Sequence, residues 1–185
     1  MSKTIKEQIK KTGATFTPQE LSVFLAEKIA SYIKPITQNV IDPACGEGEL
    51  LIAMGNILSD SAIDFSLTGY DANEQYLSFA QERILQFGIE NTKLIHEDFL
   101  KAIDVSSHQS SLNLFQEHNK SSVNNSFDIV IANPPYVRTQ ILGTDQAQEL
   151  ARKFHLTGRV DLYYPFLIAM TESLKEGGIL GVITF

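Results

Sequence analysis

The 185 residues predict an α/β fold, a doubly wound and mostly parallel sheet with helices on both faces. Three observations carry that expectation. Short apolar runs alternate with segments of three- and four-residue periodicity along the chain. Asp42, Asp71, Asp98 and Asn133 each stand at the carboxyl end of such an apolar run. The composition, 43% hydrophobic and 20% charged, suits one domain with a real core.

The elements follow in order. Leu21, Phe24, Leu25, Ile29 and Ile33 repeat at helical steps, so Pro18–Ile33 reads as a helix. Thr17 reads as its N-cap, with Pro18 at the first helical position and Pro35 just past the end. Asn39–Pro43 reads as the first strand. Gly48–Leu58 reads as a helix with Leu50, Leu51, Met54 and Leu58 inward. Phe65–Tyr70 is the second strand. Asn73–Phe87 is a helix with Leu77, Ala80, Ile84 and Phe87 on one stripe, and Gly88 is its C-cap. Thr92–His96 is the third strand. Phe127–Ala132 is the fourth, apolar enough to be buried on both faces. Leu162–Leu174 is a helix closed by Glu176-Gly177-Gly178, and Ile179–Phe185 is the fifth strand.

Two regions break this rhythm. Ser106–Ser126 is rich in Ser, Asn, Gln and His and reads as a flexible insertion. Val137–Val160 reads as a connection holding a short helix at Asp145–Phe154. There is no internal repeat.

Several classes are excluded. No apolar run approaches the about 20 residues that cross a bilayer, and the first residues lack the apolar core of a secretory signal. Cys45 is the only cysteine, so an internal disulfide is impossible, which fits a reducing cytoplasm. The formal net charge is −7. Lys3, Lys6, Lys10 and Lys11 share a helical spacing that suits a solvated face or a phosphate contact.

The first chemistry-bearing motif is Asp42-Pro43-Ala44-Cys45-Gly46-Glu47-Gly48, between a strand and a helix. Ligands of open parallel sheets bind at such strand ends. Gly46 and Gly48 remove side chains where backbone passes close to a ligand. The motif lacks both the G-x-G-x-x-G dinucleotide fingerprint and the Lys-Ser/Thr of a phosphate loop, which speaks against a pyrophosphate-bearing cofactor. Asp71 ends the second strand, beside Ala72, where a carboxylate can accept both hydroxyls of a ribose. Asp98 ends the third, where it can accept from an adenine amino group, with Phe99 covering the ring. Each acid could instead cap the helix that follows it.

Asn133-Pro134-Pro135-Tyr136 follows the fourth strand directly. A residue before proline is held in extended backbone, and the prolines fix their own φ while offering no N–H. The result is a stiff platform of acceptors. An exocyclic amine such as adenine N6 has two hydrogens, and the Asn133 side-chain oxygen and Pro134 carbonyl can accept one each. That pairing draws the nitrogen lone pair out of ring conjugation and favours the charge developing as it attacks a sulfonium methyl. No strong general base is needed; alignment is the remaining task. Tyr136 can stack on the base, which must be flipped out of a duplex to be reached. A plain turn is the alternative reading.

These residues resemble the amino-methyltransferases of DNA, in particular the adenine-N6 enzymes of bacterial restriction–modification systems. GATFTP at Gly13–Pro18, with Phe16 and Thr17, looks like the segment that closes over the methionine part of the cofactor. Asp42–Gly48, with Pro43 and Ala44, looks like the main cofactor loop; Asp71 and Asp98 match the ribose and adenine acids; Asn133–Tyr136 matches the catalytic tetrapeptide. The order is similar to the gamma arrangement. NPPYVRTQ followed by GRVDLYYPFLIAM looks closest to methyltransferases paired with type IIS restriction enzymes, and places Phe166 beside the cofactor adenine.

The resemblance implies a Rossmann-like methyltransferase fold, S-adenosylmethionine as cofactor with S-adenosylhomocysteine as product, and no metal. It implies double-stranded DNA with a flipped adenine as substrate, a cognate restriction endonuclease as partner, and a bacterial cytoplasmic location. Residues 1–35 would form the cofactor-closing helical segment of a catalytic domain spanning 1–185. The last strands, a second base-stacking aromatic and the target-recognition domain have no counterpart, so the chain reads as a fragment cut after the fifth strand, whose activity alone is in doubt. The acidic charge agrees, since phosphate contacts need Lys and Arg; Arg138, Arg152, Lys153 and Arg159 could border a DNA cleft. Three alternatives stay open: methylation of a protein glutamine, whose enzymes share the tetrapeptide but favour a more glycine-rich loop; cytosine-N4 methylation; and a cofactor-binding scaffold without activity.

Overall fold

The computed structural model describes residues 17–105, 123–135, 143–157 and 161–184. Phe16, Tyr136, Arg138, Arg159, the four N-terminal lysines and most of Ser106–Ser126 lie outside the described residues. Along the chain run α1 (Gln19–Ala30), β1 (Gln38–Asp42), α2 (Glu49–Asp60), β2 (Phe65–Asp71), α3 (Glu74–Gln86) and β3 (Thr92–His96). Then come α4 (Phe99–Ala102), β4 (Phe127–Ala132), α5 (Thr144–Lys153), α6 (Tyr163–Ser173) and β5 (Leu174–Val182). The strands form one sheet in the order β3-β2-β1-β4-β5, every neighbouring pair parallel. This is the doubly wound α/β architecture the alternation predicts.

Period-two alternation splits the core into two layers. Val40, Leu67, Ile129 and Ile131 face α1, α2 and α3. Ile41, Tyr70, Val130 and Ala132 face the opposite side, against α4, α6 and Phe154. Leu51, Met54 and Leu58 on α2 are fully buried, each contributing about 1.5–3 kcal/mol through the area it removes from water. Local chemistry sets the helix starts. Gly48 precedes α2 with a left-handed φ of 80°, where a Cβ would press on Ala80 at 3.3 Å. Asn73 caps α3, its side chain accepting the Gln75 N–H at 3.0 Å.

Several expectations need correction. Pro18, not Thr17, is the N-cap of α1 and makes no side-chain cap bond. The buried face of α1 runs through Ser22, Ala26 and Ile29, which leaves Phe24 nearly opposite and 52% exposed. Phe87 is the C-cap of α3 and is half exposed, because the helix has stopped turning its stripe inward. β5 begins at Leu174, directly after α6, rather than at Ile179. The run Glu176-Gly177-Gly178 lies inside an irregularity of the β4–β5 pairing, with Gly177 at φ 77°. The single turn α4 exists because the Asp98 carboxylate accepts the Leu100 N–H at 3.0 Å.

The ends flanking residues 105–123 are pinned together. The Asn124 amide donates to the Asp104 carbonyl at 2.6 Å and accepts the Asp104 N–H at 3.0 Å. Among the described residues no helix is long and apolar enough to cross a membrane.

Gly69, in the middle of β2, has no room for a side chain. A Cβ there would lie 2.8 Å from Cys45 Sγ, 2.8 Å from Leu94 Cδ2 and 2.9 Å from Leu51 Cδ1. Gly69→Ala is expected to lower stability by about 1–3 kcal/mol through overpacking. A urea midpoint equal to that of the wild type would contradict this packing.

Candidate functional site

The carboxyl ends of β1, β2 and β4 and the start of α4 open on one cavity of about 840 Å³. Pro43, Ala44 and Gly46 form one wall; Asp71 and Ala72 form another, and Asp98 and Phe99 border a third. Asn133 and Pro135 close it from β4. The volume falls within the range of small-molecule and cofactor sites.

Asp71 organises the wall between β1 and β2. Its Oδ2 accepts the Gly46 N–H at 2.9 Å, and its Oδ1 accepts the Asn73 N–H at 2.8 Å. The Cys45 N–H adds a bond to the Tyr70 carbonyl at 2.8 Å. Each carboxylate oxygen has a second lone pair, so these bonds orient the group and leave acceptor capacity towards the cavity. Burial raises the Asp71 pKa, against the lowering by the Asn73 and Gly46 N–H groups and by His96. Gly46 takes a positive φ of 52°, and the space where a side chain would stand is open.

The wall around α4 is aromatic and apolar. Phe99 is 1% exposed, meets Tyr70 edge-on at 5.4 Å and stacks on Phe166 at 6.5 Å between centroids. Leu162 and Leu150 extend this surface. Lys153 Nζ donates to the Leu100 carbonyl at 2.6 Å, which ties α5 to α4. Asp98 uses Oδ1 to cap α4, so the helix-capping role read as its alternative is present. For Asp71 that role passes to Asn73, with the Asp71 carboxylate bracing the Asn73 N–H instead.

A smaller cavity of about 60 Å³ adjoins the first, sharing Ala44, Gly46 and Asn133 as lining. Thr17 and Asp42 line it too. The Asn133 Nδ2 group donates to Thr17 Oγ1 at 3.1 Å, and Asn133 is 8% exposed. Arg83 on α3 pairs with Glu49 and donates to the Glu47 carbonyl at 3.0 Å, bracing the same loop.

The structure thus gathers eleven of the predicted cofactor and catalytic residues around the larger cavity and its neighbour: Thr17, then Asp42, Pro43, Ala44 and Gly46 of the loop, Asp71 and Ala72, Asp98 and Phe99, Asn133 and Pro135. Phe166 lines the larger cavity as well. Pro134 is buried and lines neither, and Gly48 faces Ala80 and Ile84 instead. Sequence reasoning missed Tyr76, Glu97, Glu149 and Leu162 as lining. Glu97 stands next to Asp98 and Leu162 lies within GRVDLYYPFLIAM, whereas Tyr76 and Glu149 had no motif beside them.

Comparison with known proteins agrees with this arrangement. A family model described as N-6 DNA Methylase matches residues 1–185. The chain is 41% identical, over its full length, to a protein named Type II methyltransferase M.BanIII from Aneurinibacillus aneurinilyticus. It spans about a third of that relative, 33% of its length. A structure of a type I restriction-modification methyltransferase subunit from Streptococcus thermophilus superposes with TM-score 0.61 at 18% identity, covering 96% of this chain and 37% of the other. One from Listeria monocytogenes, described as a class I S-adenosylmethionine-dependent methyltransferase, gives 0.60 at 22% identity, covering 91% and 46%. The fold is therefore that of the S-adenosylmethionine-dependent methyltransferases. Fold and family together indicate S-adenosylmethionine as the cofactor.

Asp42 yields a pH prediction. It is 1% exposed, and burial pushes its pKa from 3.8 to about 8; the Ala44 N–H opposes the rise and Asp71 adds to it. Between those values the folded chain holds a proton that the unfolded chain has shed, so stability falls as pH rises through that window. Asp42→Asn removes this ionisation. Thermal melts of the ligand-free protein are expected to show the variant gaining on wild type from about pH 5 to about pH 8. Parallel curves would show that Asp42 ionises at its ordinary value.

Proposed function

Because the chain belongs to the N-6 DNA methylase family, we propose that its domain transfers the methyl of S-adenosylmethionine to the N6 amine of adenine in double-stranded DNA. The reaction serves restriction–modification beside a cognate endonuclease in the bacterial cytoplasm. One observation carries the reading: Asn133 and Pro135 line the same cavity as Gly46, Asp71 and Asp98. Acceptors for an amine and groups for a nucleoside-bearing donor therefore share one space.

The residues present fit the cofactor. Asp71 would take the ribose hydroxyls, with its carboxylate already oriented by the Gly46 and Asn73 N–H groups. Asp98, Phe99 and Phe166 would hold the adenine by one hydrogen bond and by apolar contact. Pro43, Ala44 and Gly46 would let backbone pass close to the ligand, with Phe16, Thr17 and residues up to 35 bordering the methionine part. Asp42, buried beside Asn133, would favour a cationic group. When bound, S-adenosylmethionine supplies an electrophilic methyl on a sulfonium. The acidic loop and strand ends suit that positive charge, as a pyrophosphate would not be suited.

On the substrate side, Asn133 Oδ1 and the Pro134 carbonyl accept the two amine hydrogens, which raises the nucleophilicity of the nitrogen. Pro135 stiffens the platform, and Tyr136 stacks on the flipped base.

Three measurements on the full-length protein test this. Asp71→Ala is expected to weaken S-adenosylhomocysteine binding by roughly 10- to 100-fold in calorimetry. Asn133→Ala should spare that binding and lower methyl transfer by on the order of 10²–10³; turnover near wild type would remove Asn133 from the mechanism. Amplified, unmodified genomic DNA treated with methyl-labelled cofactor should release labelled N6-methyladenine on digestion to nucleosides. Labelled N4-methylcytosine, or label found only in protein glutamine, would replace the adenine reading.

A further inference from the structure

We infer that Thr17 is a positioning residue whose hydroxyl holds the Asn133 amide with its oxygen turned to the incoming amine. The inference rests on the amine-methylation reading and adds a residue that this reading leaves with the cofactor.

The backbone does not by itself set the Asn133 amide. Pro134 keeps Asn133 extended, yet the last torsion of an asparagine side chain is broad and nearly two-fold. Turned the wrong way, the amide offers the amine a donor instead of an acceptor. The structure supplies the missing restraint: Asn133 Nδ2 donates to Thr17 Oγ1 at 3.1 Å, across 116 positions of sequence.

Thr17 can serve as an anchor because α1 starts beside it. The Pro18 carbonyl accepts the Leu21 and Ser22 N–H groups at 3.1 and 3.0 Å and the Ser22 hydroxyl at 3.1 Å. Ser22 and Ala26 are fully buried, and Ile29 is seated against Gly181 of β5. The hydroxyl is thus carried on a packed helix, and it meets Asn133 at the lining of the small cavity. With substrate bound, the bonds run in series, from amine N–H to Oδ1 and from Nδ2–H to Oγ1. Each donation from Nδ2 polarises the amide and makes Oδ1 a stronger acceptor.

The test uses full-length protein, amplified unmodified genomic DNA and saturating S-adenosylmethionine. Thr17→Val is expected to slow single-turnover methyl transfer about tenfold, the worth of one neutral hydrogen bond. Saturating cofactor keeps any loss of cofactor affinity out of that rate, and the affinity for S-adenosylhomocysteine is measured separately by calorimetry. Thr17→Ser, which keeps the hydroxyl, should restore the rate. A full rate in Thr17→Val, equal losses in both variants, or weakened cofactor binding with an unchanged rate at saturation would each overturn the proposal. Asn133→Ala is the control: while it stays inactive, those outcomes leave the role of the amide standing, and its turnover would sink both ideas.

Discussion

The sheet reverses its direction of growth at β1, and that constraint makes the site. From β1 the chain winds outward through β2 and β3, with α2 and α3 on one face. It then returns to the other side of β1 to lay down β4 and β5, with α4 and α6 on the opposite face. Right-handed crossovers leave the chain little alternative. The loops leaving β1 and β4 must part, and a crevice opens between them. The glycine-bearing loop occupies one lip and Asn133 the other. No motif has to create the cavity; the motifs line a gap that topology has already opened.

Much of this was legible in the chain because parallel strands buried on both faces announce themselves. Phe127–Ala132 has the predicted bounds because it is an apolar run ended by a sharp change in chemistry; Thr92–His96 has them too, although it is the half-exposed edge strand. The site acids were legible for the same reason, standing where such runs stop. Phe24 misled because Val23, Phe24 and Leu25 are consecutive and cannot share one helix face. The start of β5 misled because Gly177 and Gly178 read as punctuation, whereas the sheet absorbs them as an irregularity. Two things had no signal. The bond from Asn133 to Thr17 joins residues 116 apart, and the wall made by Glu149, Leu150 and Leu162 depends on how α5 and α6 pack.

Electrostatics gives the crevice a character distinct from a phosphate site. Burial raises the cost of ionising both Asp42 and Asp71, and the charge of Asp71 adds to it for Asp42. The same burial raises the Cys45 thiol, followed by the field of both acids, and holds it neutral. Asp42 keeps its proton near neutral pH, so the pair carries less than its full negative charge. It gains when a positive group arrives, because ligand charge and carboxylate charge then offset each other in low dielectric.

The paired bonds between Asp104 and Asn124 reach further than their size. They close a ring whose neck belongs to the rigid scaffold, while the Asn125 and Ser126 N–H groups dock on the last carbonyls of α6. Once a neck is shut, lengthening the chain it encloses costs only a logarithm of the added residues. Evolution or an engineer could therefore swap the seventeen residues 106–122 for a graft of another size, keeping Val105 and Val123 on the core. β3 and β4 would keep their spacing, and the crevice would be spared.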